Sequence, residues 1–146
     1  MNTEVLEVFA EQLGVDPAVV EDRWDGRPDL LAEDIFRVKD MDTGEVRDLE
    51  LFETQRQAMM AYFYGDADTI SNYKGRRIGY SFIYCVCFLL EGVLIPGSFY
   101  PFVSRKKEQA DGRIADIENL IDNARVEIPA PVNNKGEIEL WNGSGF

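Results

Sequence analysis

Tyr73-Lys74-Gly75-Arg76-Arg77-Ile78-Gly79-Tyr80-Ser81-Phe82 is the stretch whose reading decides the fold. It gathers three cations, two glycines and a hydroxyl, and it runs straight into the longest apolar run of the chain, Phe82 to Leu90. Glycine lets a loop turn its backbone N–H groups inward, and a helix N-terminus adds unpaired N–H groups and the positive end of the helix dipole. A basic, glycine-punctuated loop that opens onto a buried helix therefore reads as an anion site, with a nucleotide phosphate as the fitting ligand. The bland alternative for Lys74, Arg76 and Arg77 is a solvated basic turn on an acidic surface.

Working downstream, Ser81 to Leu94 reads as a helix buried on most faces, with Ser81 as its N-cap and Pro96-Gly97 as its stop. Phe99 to Val103 has strand composition, interrupted by Pro101. Ser104 caps the next helix, where Ala110, Ile114, Ile117 and Ile121 form an amphipathic stripe. Asp111, Asp116, Glu118 and Asp122 fall opposite that stripe, as a solvated face. Residues 125–135 read as a loop, Glu137 to Trp141 as a strand, and Asn142-Gly143-Ser144-Gly145 as a turn into a returning strand at Phe146.

Upstream, Thr69, Ile70 and Tyr73 give a weak strand signal into the loop. Leu51 to Phe63 reads as a helix, and Phe36 to Leu51 as a hairpin turning at Met41-Asp42-Thr43-Gly44. The first third reads as short helices: Thr3 to Leu13, a second start at Asp16-Pro17, and Asp29 to Phe36. The expected organisation is an acidic helical segment with a hairpin over residues 1–50 and a larger unit over 51–146. Strand, glycine loop, helix and strand in that order give an α/β fold class, a parallel-sheet core of the P-loop kind preceded by a small helical segment.

The composition sets bounds. The 146 residues, 45% hydrophobic and 12% aromatic, suffice for one folded domain with a core. With 27 acidic against 15 basic side chains the net charge is −12, which argues against a general nucleic-acid coat. The acid is spread along the chain, as in an ordinary acidic protein or in one from a high-salt, halophilic setting. No apolar run reaches the ~18 residues of a membrane span, and no basic leader precedes an apolar segment at the N-terminus. Cys85 and Cys87 lie in the apolar run and read as small buried hydrophobes of a reducing compartment.

The loop fails the standard G-x-x-x-x-G-K-[ST] pattern. Gly79 and Ser81 fit its last glycine and its hydroxyl, but Tyr80 stands in place of the lysine and Lys74 in place of the first glycine. With the lysine displaced forward and Gly-Tyr-Ser closing the loop, Lys74, Arg77, Gly79, Tyr80 and Ser81 resemble the deviant Walker A of viral terminase large subunits, the DNA-packaging motors of tailed viruses, in their lambda-like branch. Leu51-Phe52-Glu53-Thr54-Gln55-Arg56 is similar to the adenine-recognition segment ahead of that loop. Phe102-Val103-Ser104-Arg105-Lys106-Lys107 is similar to the family's strand and basic turn, and Ile138 to Ser144 to its strand with an Asn-Gly-Ser turn. The four features keep the family's order from Leu51 to Phe146.

The resemblance implies ATP and Mg²⁺ as cofactors. Lys74, Gly75, Arg76, Arg77, Ile78, Gly79, Tyr80 and Ser81 would hold the phosphates, with Lys74 and Arg77 as the catalytic cations and Ser81 on the metal. Gln55 and Arg56 would hold adenine. It further implies double-stranded viral DNA, portal and small terminase subunit as partners, a homo-oligomeric parent, and action in the host cytoplasm during virion assembly. The family's Walker B strand and nuclease domain have no counterpart among these residues, so the expectation is the N-terminal part of the ATPase domain, inactive alone. Two alternatives stay open: a helicase-like P-loop ATPase fragment, and a non-catalytic interaction protein with a decayed P-loop.

Overall fold

The computed structural model describes residues 3–66 and 80–146. Lys74, Gly75, Arg76, Arg77, Ile78 and Gly79, and the strand expected before them, lie outside the described residues. Five α-helices are present among those described: α1 (Thr3–Leu13), α2 (Pro28–Ile35), α3 (Glu53–Tyr64), α4 (Tyr80–Leu94) and α5 (Lys107–Asn123). A five-residue π-helix, Val20–Trp24, stands between α1 and α2. Two antiparallel hairpins complete the set: β1 (Arg37–Lys39) with β2 (Val46–Asp48), and β3 (Val132–Asn134) with β4 (Glu137–Glu139).

α1 and α5 bury most of the face their spacing predicts, with Ala110 and Ile121 of the α5 stripe only partly buried. In α1, Leu6, Phe9 and Ala10 turn inward; in α5, Ile114, Ile117 and Leu120 do. Almost continuous apolarity makes α4 the axis of the core, with Ile83, Cys85, Val86, Cys87, Leu89, Leu90 and Val93 at 0% exposure. One hydrophobic cluster runs through both the first fifty residues and the remainder, from Leu6 to Phe146. Polar contacts also cross that line: the Asn119 side chain exchanges two hydrogen bonds with the backbone of Lys39, at 3.0 and 3.1 Å, and Arg37 Nε donates to the Asn123 carbonyl at 2.9 Å.

The β-structure departs from the expectations in detail. Residues 132–134, read as loop, form β3, because the Lys135-Gly136 turn folds them back on β4 in the register Val132 to Glu139 and Asn134 to Glu137. Of the expected strand 99–103 only the first residues pair. Tyr100 N–H donates to the Gly145 carbonyl and Gly145 N–H to the Ser98 carbonyl, a parallel bridge of Phe99 with Gly145. Proline at 101 has no N–H to extend it. Phe146 pairs on its other side with Ile138 through bonds of 2.9 and 3.2 Å in both directions. The sheets named among the described residues are antiparallel and two-stranded; the parallel P-loop sheet stays an expectation.

Helix starts also shift. α4 begins at Tyr80, so Ser81 lies inside the first turn and not at the cap. α5 begins at Lys107, so Ser104 stands outside it and hydrogen-bonds the Gln109 side chain instead of capping.

Candidate functional site

Among the residues expected to bind phosphate, the described ones stand at the N-terminal end of α4. Tyr80 opens the helix and Ser81 follows, exposed. Ser81 lines a cavity of about 400 Å³ with Phe102, Ser104, Gln109 and Arg113 from the segment leading into α5 and from α5 itself. Glu108 is the one carboxylate on its wall among the described residues. Arg113 contributes its guanidinium, with Nη2 3.2 Å from Asp116 and Nε buried without a hydrogen-bond partner among the described residues.

The first turn of α4 contains no acidic residue. Glu4, Asp29, Glu53 and Glu108 occupy the first turns of α1, α2, α3 and α5. Carboxylates there neutralise the positive end of the helix dipole. The start of α4 thus carries no neutralising carboxylate in its first turn, in a chain of net charge −12. An anion is the chemically matched occupant, and the exposed Ser81 hydroxyl is one oxygen donor for a hard cation such as Mg²⁺.

The expected adenine residues are engaged elsewhere in this structure. Gln55 is 6% exposed. Its Oε1 accepts the backbone N–H of Phe52 at 3.0 Å, the side-chain-to-backbone half of a capping box at the start of α3. Arg56 reaches α2: Nη1 is 2.8 Å from Asp29 Oδ2, and Nη2 contacts Glu33. Both contacts fasten α3 to α2. Reading Asp29 only as a helix starter hides this role. Its carboxylate is 3% exposed and accepts from Arg27 Nε at 2.9 Å, Arg27 Nη2 at 2.7 Å and Arg56 Nη1 at 2.8 Å. Arg27, then burial in the opposite sense, then Arg56 set its acidity, and the net result is a pKa lowered to about 2.

Other polar groups are structural. Trp24 is fully buried, and its indole N–H donates to Asp34 Oδ2 at 2.8 Å, while Arg23 holds the same carboxylate from 2.6 Å. Tyr62 packs edge-on against Phe63, Tyr84 and Phe88, whereas Tyr64 is largely exposed. Burial pushes the Cys85 thiol up to about 12, and raises that of Cys87 as well. Asp116 departs from the expected solvated face: it is half-buried, and burial raises its pKa against the pull of Arg113. Among the described residues no group of three or more acidic, Cys or His side chains is placed to hold a metal, and no helix is long and apolar enough to cross a membrane.

Neither a protein-family model nor a curated protein matches this chain.

Proposed function

We propose that this chain is the N-terminal, ATP-binding part of a viral DNA-packaging motor of the terminase large-subunit kind. The observation that carries the reading is the acid-free N-terminus of α4, which opens at Tyr80-Ser81 directly after the basic glycine loop. The loop residues Lys74 to Gly79 supply cations and backbone N–H groups for the β- and γ-phosphates, and Ser81 supplies an oxygen for Mg²⁺. ATP·Mg²⁺ supplies the phosphoanhydride whose cleavage drives translocation of double-stranded DNA in the full-length parent. Portal, small subunit and assembly in the host cytoplasm belong to the same reading. Adenine recognition by Gln55 requires the base to replace the Phe52 N–H as the partner of its carboxamide oxygen.

The test is nucleotide binding by the 146-residue chain, followed with a fluorescent ATP analogue and competed with ATP and AMP. ATP competes better than AMP, and Lys74→Ala and Ser81→Ala each weaken binding by about tenfold, the effect of losing one charge-assisted contact. Equal competition by ATP and AMP, or unchanged affinity in both variants, refutes the phosphate site. The engagement of Gln55 and Arg56 inside the fold favours a second reading, a non-catalytic protein that keeps a decayed P-loop. Phosphate-dependent binding without preference for adenine over guanine is its signature.

A further inference from the structure

Seven asparagines occur in the chain, and only Asn142 precedes a glycine. An asparagine side chain converts to an acid when the next backbone nitrogen attacks its carboxamide carbon. A following glycine, with no Cβ in the way, is the most permissive neighbour for that attack. In the ring-closing step Gly143 N bonds to Asn142 Cγ, the Cγ–Nδ2 bond breaks, and the Gly143 proton leaves with Nδ2 as ammonia. Water then opens the cyclic imide at either carbonyl, which leaves aspartate or isoaspartate at position 142. No oxidant or reductant takes part. Asn142 is half-buried and Gly143 exposed, so water reaches both.

The fold restrains every group that must react. The leaving nitrogen, Asn142 Nδ2, donates to the carbonyls of Gly92 and Val93 at 2.9 and 3.2 Å. Asn142 Oδ1 accepts the Ser144 N–H at 3.1 Å, which fixes the plane of the carboxamide. The nucleophile, Gly143 N, donates to the Leu140 carbonyl at 3.0 Å. The Asn142 carbonyl accepts the Gly97 N–H at 3.2 Å, so the peptide between residues 142 and 143 is held at both ends. Ring closure needs that peptide to rotate until its nitrogen faces Cγ, and the rotation breaks the bonds to Leu140 and Gly97. Ser144 Oγ lies 2.7 and 3.0 Å from the Gly92 and Ile95 carbonyls and fastens the same turn to α4. Conversion therefore waits on opening of the C-terminal end of α4 and the turn packed on it.

We propose that Asn142 is a deamidation site gated by the end of α4, and that its conversion locks the turn open. While the turn is closed, the amide persists. Each local opening frees Gly143 N and the carboxamide together and gives water a chance to convert them. The product cannot restore the contact. A carboxylate has no N–H for the Gly92 and Val93 carbonyls, and it sets a negative charge at the negative end of the α4 dipole. Isoaspartate also lengthens the main chain by a carbon and displaces Gly145 and Phe146 from their bonds to Ser98, Tyr100 and Ile138. The site thus works as a one-way clock that counts openings of this end of the core. It consumes only water and stands apart from the ATP reading.

Incubation of the full chain at pH 8, native or unfolded in guanidinium chloride, tests this. Trypsin then cuts after Lys135 and releases residues 136–146, whose one side-chain amide is Asn142. Chromatography with mass spectrometry counts the amide, aspartate and isoaspartate forms of that peptide. The unfolded chain converts faster than the native one by about tenfold or more, the ratio reporting how rarely the turn opens. Ser144→Ala, which loosens the turn without touching a reacting atom, speeds native conversion by about threefold or more; a variant that fails to fold converts at the unfolded rate, which is the same direction. Asn142→Asp reproduces one product, and Asn142→Ala removes the donors without adding charge. In urea unfolding the aspartate variant is the less stable of the two, and failure of that variant alone to fold is the extreme of the same result. The proposal is overturned by native and unfolded chains converting at equal rates, by an unfolded chain that does not convert, by Ser144→Ala leaving the native rate unchanged, or by Asn142→Asp proving as stable as Asn142→Ala.

Discussion

Replacing Asp29 by Asn should cost this protein about 2 kcal/mol at neutral pH, and the cost should disappear in acid. The carboxylate is 3% exposed and joins Arg27 at the start of α2 to Arg56 of α3. Its pKa falls from 3.8 to about 2 in the folded state. At 1.36 kcal/mol per unit, that difference corresponds to about 2 kcal/mol of stabilisation when the group is ionised in both states. Asparagine is isosteric, so no cavity opens; what is lost is the charge that opposes the two guanidiniums. Arg27 is half-exposed and turns to water, and Arg56 retains Glu33, which keeps the cost below the ~3–5 kcal/mol of stranding a buried charge. Because the folded pKa lies below the unfolded one, the stabilisation is complete above the unfolded value and fades as pH falls through the folded one. The wild-type and variant stabilities therefore differ by a constant amount from pH 7 to about pH 5, then converge towards pH 2. Urea unfolding followed by Trp24 emission measures both, and the Asp34 carboxylate beside that ring is common to the two proteins. A loss under ~0.5 kcal/mol at pH 7, or a gap that stays constant between pH 6 and pH 3, refutes the assignment of Asp29 as the ionised link between α2 and α3.

Other consequences concern the packed end of α4 and its thiols. A methyl group at Gly92 would meet the Phe146 ring at 2.9 Å and the Tyr100 ring at 3.4 Å, so Gly92→Ala lowers stability by about 1–3 kcal/mol in the same urea assay; a neutral result refutes the close packing. Ser144→Ala removes the hydroxyl that lies 2.7 Å from the Gly92 carbonyl and accepts the Ser98 N–H at 3.2 Å, a loss of about 1–3 kcal/mol that should leave nucleotide affinity unchanged. Cys85 and Cys87 are fully buried with raised thiol pKa values, so a thiol reagent at pH 8 labels neither until urea unfolds the chain, and rapid native labelling contradicts the burial.

Where one face of an element carries a strong apolar signal, the sequence reads well. The isoleucine spacing of α5 and the continuous run of α4 left few alternatives, because burying those side chains outweighs any local preference. β3 was illegible for the opposite reason. Val132-Asn133-Asn134 has one apolar residue and two of low strand propensity, and its conformation comes from a partner strand and a two-residue turn. Asp29 and Arg56 lie 27 positions apart, and nothing local marks an aspartate after a proline as anything but a helix starter. Gln55 was legible as a distinctive residue, yet in this structure the Phe-Glu-Thr-Gln pattern forms an α3 capping box, and spacing alone does not separate that role from the expected adenine contact.

The Asn-Gly-Ser turn shows the same ambiguity and locates where the functional question rests. A helix ends with carbonyls that lack intrahelical donors. At the C-terminal end of α4, Asn142 Nδ2 donates to the carbonyls of Gly92 and Val93 at 2.9 and 3.2 Å, while Ser144 Oγ stands 2.7 Å from that of Gly92 and 3.0 Å from that of Ile95. Gly143, at φ +84°, supplies the left-handed backbone that the turn between them requires. The three residues that strengthen the terminase resemblance are thus explained by helix termination, as Gln55 is by helix initiation and Arg56 by the ion pairs to α2. A protein with no nucleotide at all would use them in the same way. What distinguishes a nucleotide-binding chain from such a protein is the opposite end of α4, where the dipole meets no carboxylate in the first turn and three cations stand just upstream in sequence. Lys74→Ala and Ser81→Ala act on that end and leave the Asn142 and Ser144 bonds in place, so a selective loss of ATP affinity without loss of stability separates the two readings.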